Sequence, residues 1–279
     1  MWIANKKSEL QAHLSTCKEP VILVPTMGAL HPGHASLISL AKEQAGDTGT
    51  VIVSIFVNPI QFDRGSDLES YPRPLDTDLE LCERHGADGI FVPDTGEVYS
   101  PDRSVTVIES SLSSYLCGAT RPGHFDGVCT VVLKLFNLSR CDAAVFGEKD
   151  FQQLAIIRRM IRDLDLGVEI IPHPTVREDD GLAMSSRNER LIPEHRNDAP
   201  RIQKALLEAS KQGTPEKILR VAGDLIEASP YARIDYLSLV DSETLLPVDR
   251  LSAPSVLACA VFYGDVRLID HIDIPARKQ

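Results

Sequence analysis

Val21-Ile22-Leu23-Val24-Pro25-Thr26-Met27-Gly28-Ala29-Leu30-His31-Pro32-Gly33-His34 joins an unbroken apolar run to a turn punctuated by glycine. Consecutive aliphatic residues without alternation read as a strand covered on both faces. Beyond the turn, Leu37, Ile38, Leu40 and Ala41 recur at helical spacing, which predicts a helix over 35–45. A covered strand leading through a glycine turn into a helix is the opening of a parallel βαβ unit.

The same alternation continues outward. Apolar runs at 50–57, 89–92, 143–146 and 168–171 predict further strands. Periodic segments at 76–85, 128–138 and 151–164 predict the helices between them, the first stopped by Gly86. Buried strands alternating with helices predict an α/β fold, a Rossmann-like doubly wound parallel sheet. The pattern changes near Pro172-His173-Pro174. A loop rich in Asp, Gly and Ser follows at 177–188, then helical stretches near 193–210 and 215–228, then strands at 234–240 and 256–262. The expected division is 1–172 for the first domain and 173–279 for a smaller α+β C-terminal domain.

Composition narrows the class of function. Of 279 residues, 43% are hydrophobic, enough for a sizeable core, and no run approaches the roughly 18 apolar residues of a membrane helix. The N-terminus lacks a signal-peptide pattern, so a cytoplasmic location is expected. The formal net charge of -11 disfavours nucleic acid and anionic membranes as partners. Cys17, Cys82, Cys117, Cys129, Cys141 and Cys259 show no CxxC spacing and read as reduced, mostly core thiols.

Four segments carry chemistry, three of them just after a predicted strand, where open parallel sheets bind ligands. In the first, Gly28 and Gly33 let the backbone approach a phosphate, the following helix points N–H groups at it, and His31 and His34 add imidazoles. Read alone, an HxxH is a tight turn with two exposed histidines. The second, Ser54 to Phe62, places the amides of Asn58 and Gln61 where they can hold hydroxyl or carboxylate oxygens, although Asn-Pro is also ordinary turn chemistry. The third, Phe146-Gly147-Glu148-Lys149-Asp150-Phe151-Gln152-Gln153, offers Lys149 as a point charge and Gln153 in a first helical turn. The fourth, Asp179 to Asn188, sets Ser185, Ser186 and Arg187 as a clamp for a triphosphate, on a loop that Gly181 lets move. A flexible linker is the plainer reading of that loop.

Together these segments resemble the pantothenate synthetase (pantoate–β-alanine ligase) family, a branch of the HxGH nucleotidyltransferases. The resemblance rests on Pro25–His34, Ser54–Phe62, Tyr71-Pro72-Arg73, Arg121–Phe125, Lys134–Asn137, Gly147–Asp150 with Gln152-Gln153, and Met184–Asn188. It covers most of the chain and is looser after about residue 200. Pro32 and Asp126 depart from the pattern. The resemblance implies that pantoate and β-alanine are joined at the expense of ATP through pantoyl-adenylate. It implies His34 as the leading catalytic residue, with His31, Lys149, Ser185, Ser186 and Arg187. Met27, Gly28, Ala29, Leu30, His31, Pro32, Gly33, His34, Gly147, Glu148, Lys149, Asp150, Val176, Met184, Ser185, Ser186 and Arg187 would hold ATP. Gln61, Gln153 and Asn58 would hold pantoate, with Gln61 also near β-alanine. Magnesium would bridge the phosphates, with no protein ligand assigned and Asp76 and Asp78 named only as acidic residues to test. A homodimer is implied as well.

Three other readings stay open. A nucleotidyltransferase that stops at a nucleotidylated product would not need the Gln61 and Gln153 pair. A non-catalytic nucleotide sensor would lack a histidine or Lys149. A scaffold protein would not need so many polar residues at one sheet edge.

Overall fold

The computed structural model describes residues 1–63 and 65–277. The chain forms two compact units. The first comprises Met1–Glu109, Arg121–Glu148 and Gln153–Pro174; the second comprises Ser110–Thr120, Lys149–Gln152 and the chain from Thr175 onward.

In the first unit the elements run β1 (Trp2–Ala4), α1 (Lys7–Leu14), β2 (Val21–Thr26), α2 (Pro32–Ala45), β3 (Thr50–Ile55), α3 (Gly65–Glu69), α4 (Leu75–Arg84), β4 (Gly89–Phe91) and α5 (Thr95–Val98). After α6 (Leu116–Thr120), which belongs to the second unit, come α7 (His124–Ser139), β5 (Ala143–Gly147), α8 (Phe151–Asp163) and β6 (Glu169–His173). The strands form one six-stranded sheet in the order β1-β4-β3-β2-β5-β6. All of its pairings are parallel. On one face Ile22, Val24, Val51, Val53, Ile90 and Val145 meet Ile38 and Ala41 of α2 and Cys82 of α4 in a single core. Leu23 and Ile52, equally buried, alternate onto the opposite face. This is the parallel α/β sheet expected from the apolar runs.

From β2 the chain builds outward through β3 and β4 on one side, while β5 and β6 lie on the other. The strand order therefore reverses at β2/β5. A crevice outside the carboxyl ends of such strands is where open sheets bind ligands. The chain leaves β2 there at Met27 and leaves β5 at Gly147.

The second unit holds α9 (Pro193–Asp198), α10 (Arg201–Ala209), α11 (Pro215–Glu227) and an antiparallel sheet of β7 (Ala232–Asp241), β8 (Ser255–Tyr263) and β9 (Val266–Ile274), in that order. Ile202, Leu206, Ile218, Ala222 and Ile226 of the helices pack with Leu257, Cys259, Val261, Leu268 and Ile274 of the sheet. The helical stretch read as continuous over 193–210 is two helices. Pro200 lies between them, and a proline has no N–H to continue the ladder.

Candidate functional site

The turn after β2 is tighter than its sequence suggests. Gly28 has φ +81, and a Cβ there would meet Oδ2 of Asp78 at 3.0 Å and Cγ2 of Ile55 at 3.1 Å. Ala29 follows with φ 50, also in the left-handed region. Thr26 secures the start of the turn, its Oγ1 donating to the Ser54 carbonyl at 2.7 Å and accepting from the Gly28 N–H at 3.3 Å.

The helix expected to begin at residue 35 begins at Pro32, because the histidines build its first turn. His31 is the N-cap, and its Nδ1 accepts the N–H of Gly33 at 3.1 Å. His34 returns the bond: its Nδ1 accepts the N–H of His31 at 3.3 Å. The rings lie 4.0 Å apart, centroid to centroid. This is the reciprocal logic of a capping box, with imidazole in place of hydroxyl and carboxylate. Pro32 occupies a first-turn position, where proline's missing N–H costs nothing. His34 is thus half-buried in a helical turn rather than set on a surface turn. An imidazole nitrogen that accepts a backbone N–H carries no proton itself, so each neutral ring holds its proton on Nε2.

The amides after β3 divide into two roles. Gln61 closes the 3-10 turn Pro59–Gln61, and its Nε2 donates to Sδ of Met27 at 3.0 Å, which brings the first and second segments together. Asn58, expected to hold substrate, is 1% exposed and its amide is spent on protein. Its Nδ2 donates to Oε1 of Gln61 at 2.9 Å and to the Gly127 carbonyl at 3.0 Å, and its Oδ1 accepts from the Tyr99 hydroxyl at 2.8 Å.

Further residues brace the same turn. The Gln61 carbonyl accepts from Nδ1 of His124 at 2.8 Å and from Nη2 of Arg121 at 3.3 Å. Nη1 of Arg121 lies 3.1 Å from Nε2 of His124, so the His124 ring is neutral with its proton on Nδ1. Gly127 lets α7 approach, since a Cβ there would lie 2.5 Å from the Ile60 carbonyl oxygen. The Arg121–Phe125 motif is legible in the sequence; its task is not. Asp78, named in the sequence only as an acidic residue to test for magnesium, accepts the N–H groups of Ala29 at 2.9 Å and Leu30 at 2.7 Å. Burial holds its carboxyl above the ordinary value, and those two N–H bonds offset only part of that rise. Asp76 is exposed on α4. Among the described residues, no group of three or more His, Cys, Asp or Glu could hold a metal ion.

After β5 the chain makes a single 3-10 turn, Glu148–Asp150, before α8. Gly147, Glu148 and Gln153 belong to the first unit, with Gln153 half-buried in the first turn of α8. Lys149 and Asp150 belong to the second, with Lys149 Nζ 3.7 Å from the Asp150 carboxylate.

Within the second unit the loop expected to be free is a hairpin. The Met184 N–H donates to the Val176 carbonyl and the Leu182 carbonyl accepts from the Glu178 N–H, both at 2.9 Å, with Gly181 at φ +97 in the turn. Arg177 forks onto the buried Asp270 of β9 at 2.8 and 2.9 Å. Arg196 of α9 bridges Asp180 at 2.6 Å and Glu178 at 2.8 Å, and holds the Asp180 carboxyl below its ordinary value. The 3-10 turn Ser186–Arg190 follows, capped by Ser185, whose Oγ accepts the Arg187 N–H at 3.2 Å.

Known proteins share this arrangement. The family model for pantoate-beta-alanine ligase matches residues 2–273. A pantothenate synthetase of Akkermansia muciniphila is 53% identical over 258 residues, covering 91% of this chain and 92% of its own. The crystal structure of pantothenate synthetase from Thermus thermophilus superposes with a TM-score of 0.93 at 42% identity, covering 99% of this chain and 100% of that one. The pantoate-beta-alanine ligase of Francisella tularensis, solved as a complex with beta-gamma ATP and beta-alanine, reaches 0.83 at 31% identity, covering 98% of this chain and 97% of that one. With a match spanning the sheet, the paired histidines and the hairpin alike, the chain belongs to the pantoate–β-alanine ligase family.

Proposed function

We propose that this chain joins pantoate to β-alanine with ATP, releasing AMP and pyrophosphate, and that its paired histidines serve the adenylation step. The observation that carries the assignment of roles is the reciprocal cap of His31 and His34 at the start of a 14-residue helix, beside a glycine turn at the sheet's switch point. Both neutral rings carry N–H on Nε2, and the helix N-terminus adds its own positive end. Such a set of donors suits a phosphate that gains charge.

In the first step an oxygen of the pantoate carboxylate bonds to the α-phosphorus and the bond to the pyrophosphate oxygen breaks. A carboxylate is already ionised at neutral pH, so the site needs alignment and charge stabilisation rather than a base. His31 and His34 donate to phosphate oxygens. Lys149, Ser185, Ser186 and Arg187 stabilise the departing pyrophosphate. Met27–His34, Gly147–Asp150, Val176 and Met184 line ATP. Gln61 and Gln153 hold pantoate, while Asn58 fixes Gln61 instead of touching substrate. In the second step the free amine of β-alanine bonds to the acyl carbon, AMP leaves with its oxygen, and the nitrogen sheds a proton.

The nucleotide and pantoate domain expected over 1–172 corresponds to the first unit, less 110–120 and 149–152, and the lid expected over 173–279 corresponds to the second unit, which takes in those two segments. A homodimer in the cytoplasm completes the reading. The acidic residues considered for magnesium do not make a protein site: Asp78 faces backbone and Asp76 has no acidic cluster around it among the described residues. Magnesium therefore belongs with the triphosphate, and no step here runs through it.

AMP release tests the assignment, with pantoate and β-alanine omitted in turn. AMP should form only with both acids present. AMP release without pantoate, or none with the complete mixture, would overturn it.

A further inference from the structure

We propose that Asp78 is a positioning residue for ATP: its buried carboxylate holds the Gly28–Leu30 backbone in the shape that presents His31 and His34 to the phosphates. Asp78 sits in the first turn of α4. It is 1% exposed, yet forms no ion pair among those resolved between described residues. Its partners are instead two successive backbone N–H groups, one per oxygen: Ala29 to Oδ2 at 2.9 Å and Leu30 to Oδ1 at 2.7 Å.

Successive N–H groups of a tight turn that face the same way make a concavity for an anion, and those of Ala29 and Leu30 converge on one carboxylate. Here the protein fills that concavity with its own carboxylate. Three consequences follow from the geometry. The left-handed Ala29 is held by a bond to its own N–H. A side chain at Gly28 would be strained by its φ of +81 and would also crowd Oδ2 of Asp78, 3.0 Å from the place of its Cβ. The N–H groups of Ala29 and Leu30 are spent within the protein, as are those of His31 and Gly33, so the donors left for phosphate are the Nε2–H groups of His31 and His34. Asp78 thus acts one step removed from the nucleotide, through the loop, and not as a metal ligand.

The inference rests on the reading that this loop binds ATP, and the test separates the two. Pantoate-dependent ATP–pyrophosphate exchange is measured for the unaltered enzyme and for Asp78→Asn. The asparagine keeps the size and one acceptor but turns an NH2 toward one of the N–H groups. A buried charge-assisted pair broken in this way should lower kcat/KM for ATP roughly tenfold or more. KM for pantoate should stay within about twofold, because the lost contact is not on the acid's side. The magnesium concentration needed should not change. An Asp78→Asn enzyme with unchanged kcat/KM for ATP would overturn the inference, and so would activity restored by added magnesium, which marks a metal ligand. No exchange in the unaltered enzyme would sink the ATP reading itself. Should Asp78→Asn not fold, amide hydrogen exchange in the unaltered protein decides. The Ala29 and Leu30 amides should be protected without ATP, and exchange at the rate of an open loop would overturn the proposal.

Discussion

His34 gives Nδ1 to the backbone and keeps its proton on Nε2, so in the proposed reaction one side chain would serve the fold and the chemistry by different atoms. The two services can be separated. His34→Ala should slow adenylate formation roughly a hundredfold or more, the scale of one lost preorganised donor. It should also cost about 1 kcal/mol of stability, the scale of a lost cap. His34→Asn offers an Oδ1 near the place of Nδ1 and should recover the stability without the rate. Pyrophosphate exchange and thermal melts of both variants read the two effects, and an active His34→Ala would show the histidine to be structural only. At this scale His31, His34, Lys149 and Gln61 are legible because each follows an apolar run at a sheet edge. Asp78 is not, since its partners lie 48 and 49 residues away and a first-turn acid usually faces water. For Asn58 the turn position suggests substrate, while the structure shows its buried amide bonded to Gln61, Gly127 and Tyr99, partners that the sequence does not reveal.

At the scale of elements, long apolar runs announce β2, β3 and β5, and helical periodicity announces α4, α7, α8 and α11 within a few residues. Strand β1 escapes because it spans only Trp2–Ala4. Helix α1 escapes because only Leu10 of its eight residues is buried. Strand β9 escapes because an acid, Asp270, interrupts its inward-facing apolar positions, and only the distant Arg177 makes that tolerable. The hairpin at 176–184 is hidden likewise, in ion pairs between residues far apart in the chain. Those pairs give it a pH dependence. Arg196 depresses the folded-state pKa of Asp180, so the unfolded chain binds the proton more readily. The contribution is complete above the ordinary carboxylate range and is lost as pH falls through the lowered value, below about pH 4. Arg196→Leu should therefore be less stable than the unaltered protein at neutral pH, and the gap should close in acid. Urea melts at a series of pH values measure it; a gap that widens in acid would contradict the assignment.

For the whole molecule, the order of events follows from what the site offers. No residue in the four segments is a well-placed base for the ammonium of β-alanine, whereas cationic and hydrogen-bonding groups are abundant for phosphate. The carboxylate should attack first, and pantoate with magnesium-ATP alone should give bound pantoyl-adenylate. Positional isotope exchange in ATP, run without β-alanine, should scramble the label. Its absence would count against that order. Lys149→Ala should impair this half-reaction severely but spare the attack of β-alanine on supplied pantoyl-adenylate, because the pyrophosphate charge has gone. The chain crosses between its two units at 109/110, 120/121, 148/149, 152/153 and 174/175. Within the second unit, Cys117 lies 3.4 Å from the Tyr236 hydroxyl and Thr120 lies 3.2 Å from Nη2 of Arg267. A gene spliced to a relative's at codon 174/175 would set a native Cys117 and Thr120 against a foreign Tyr236 and Arg267. Recombination between diverged copies at that junction should therefore cost stability wherever those four residues differ.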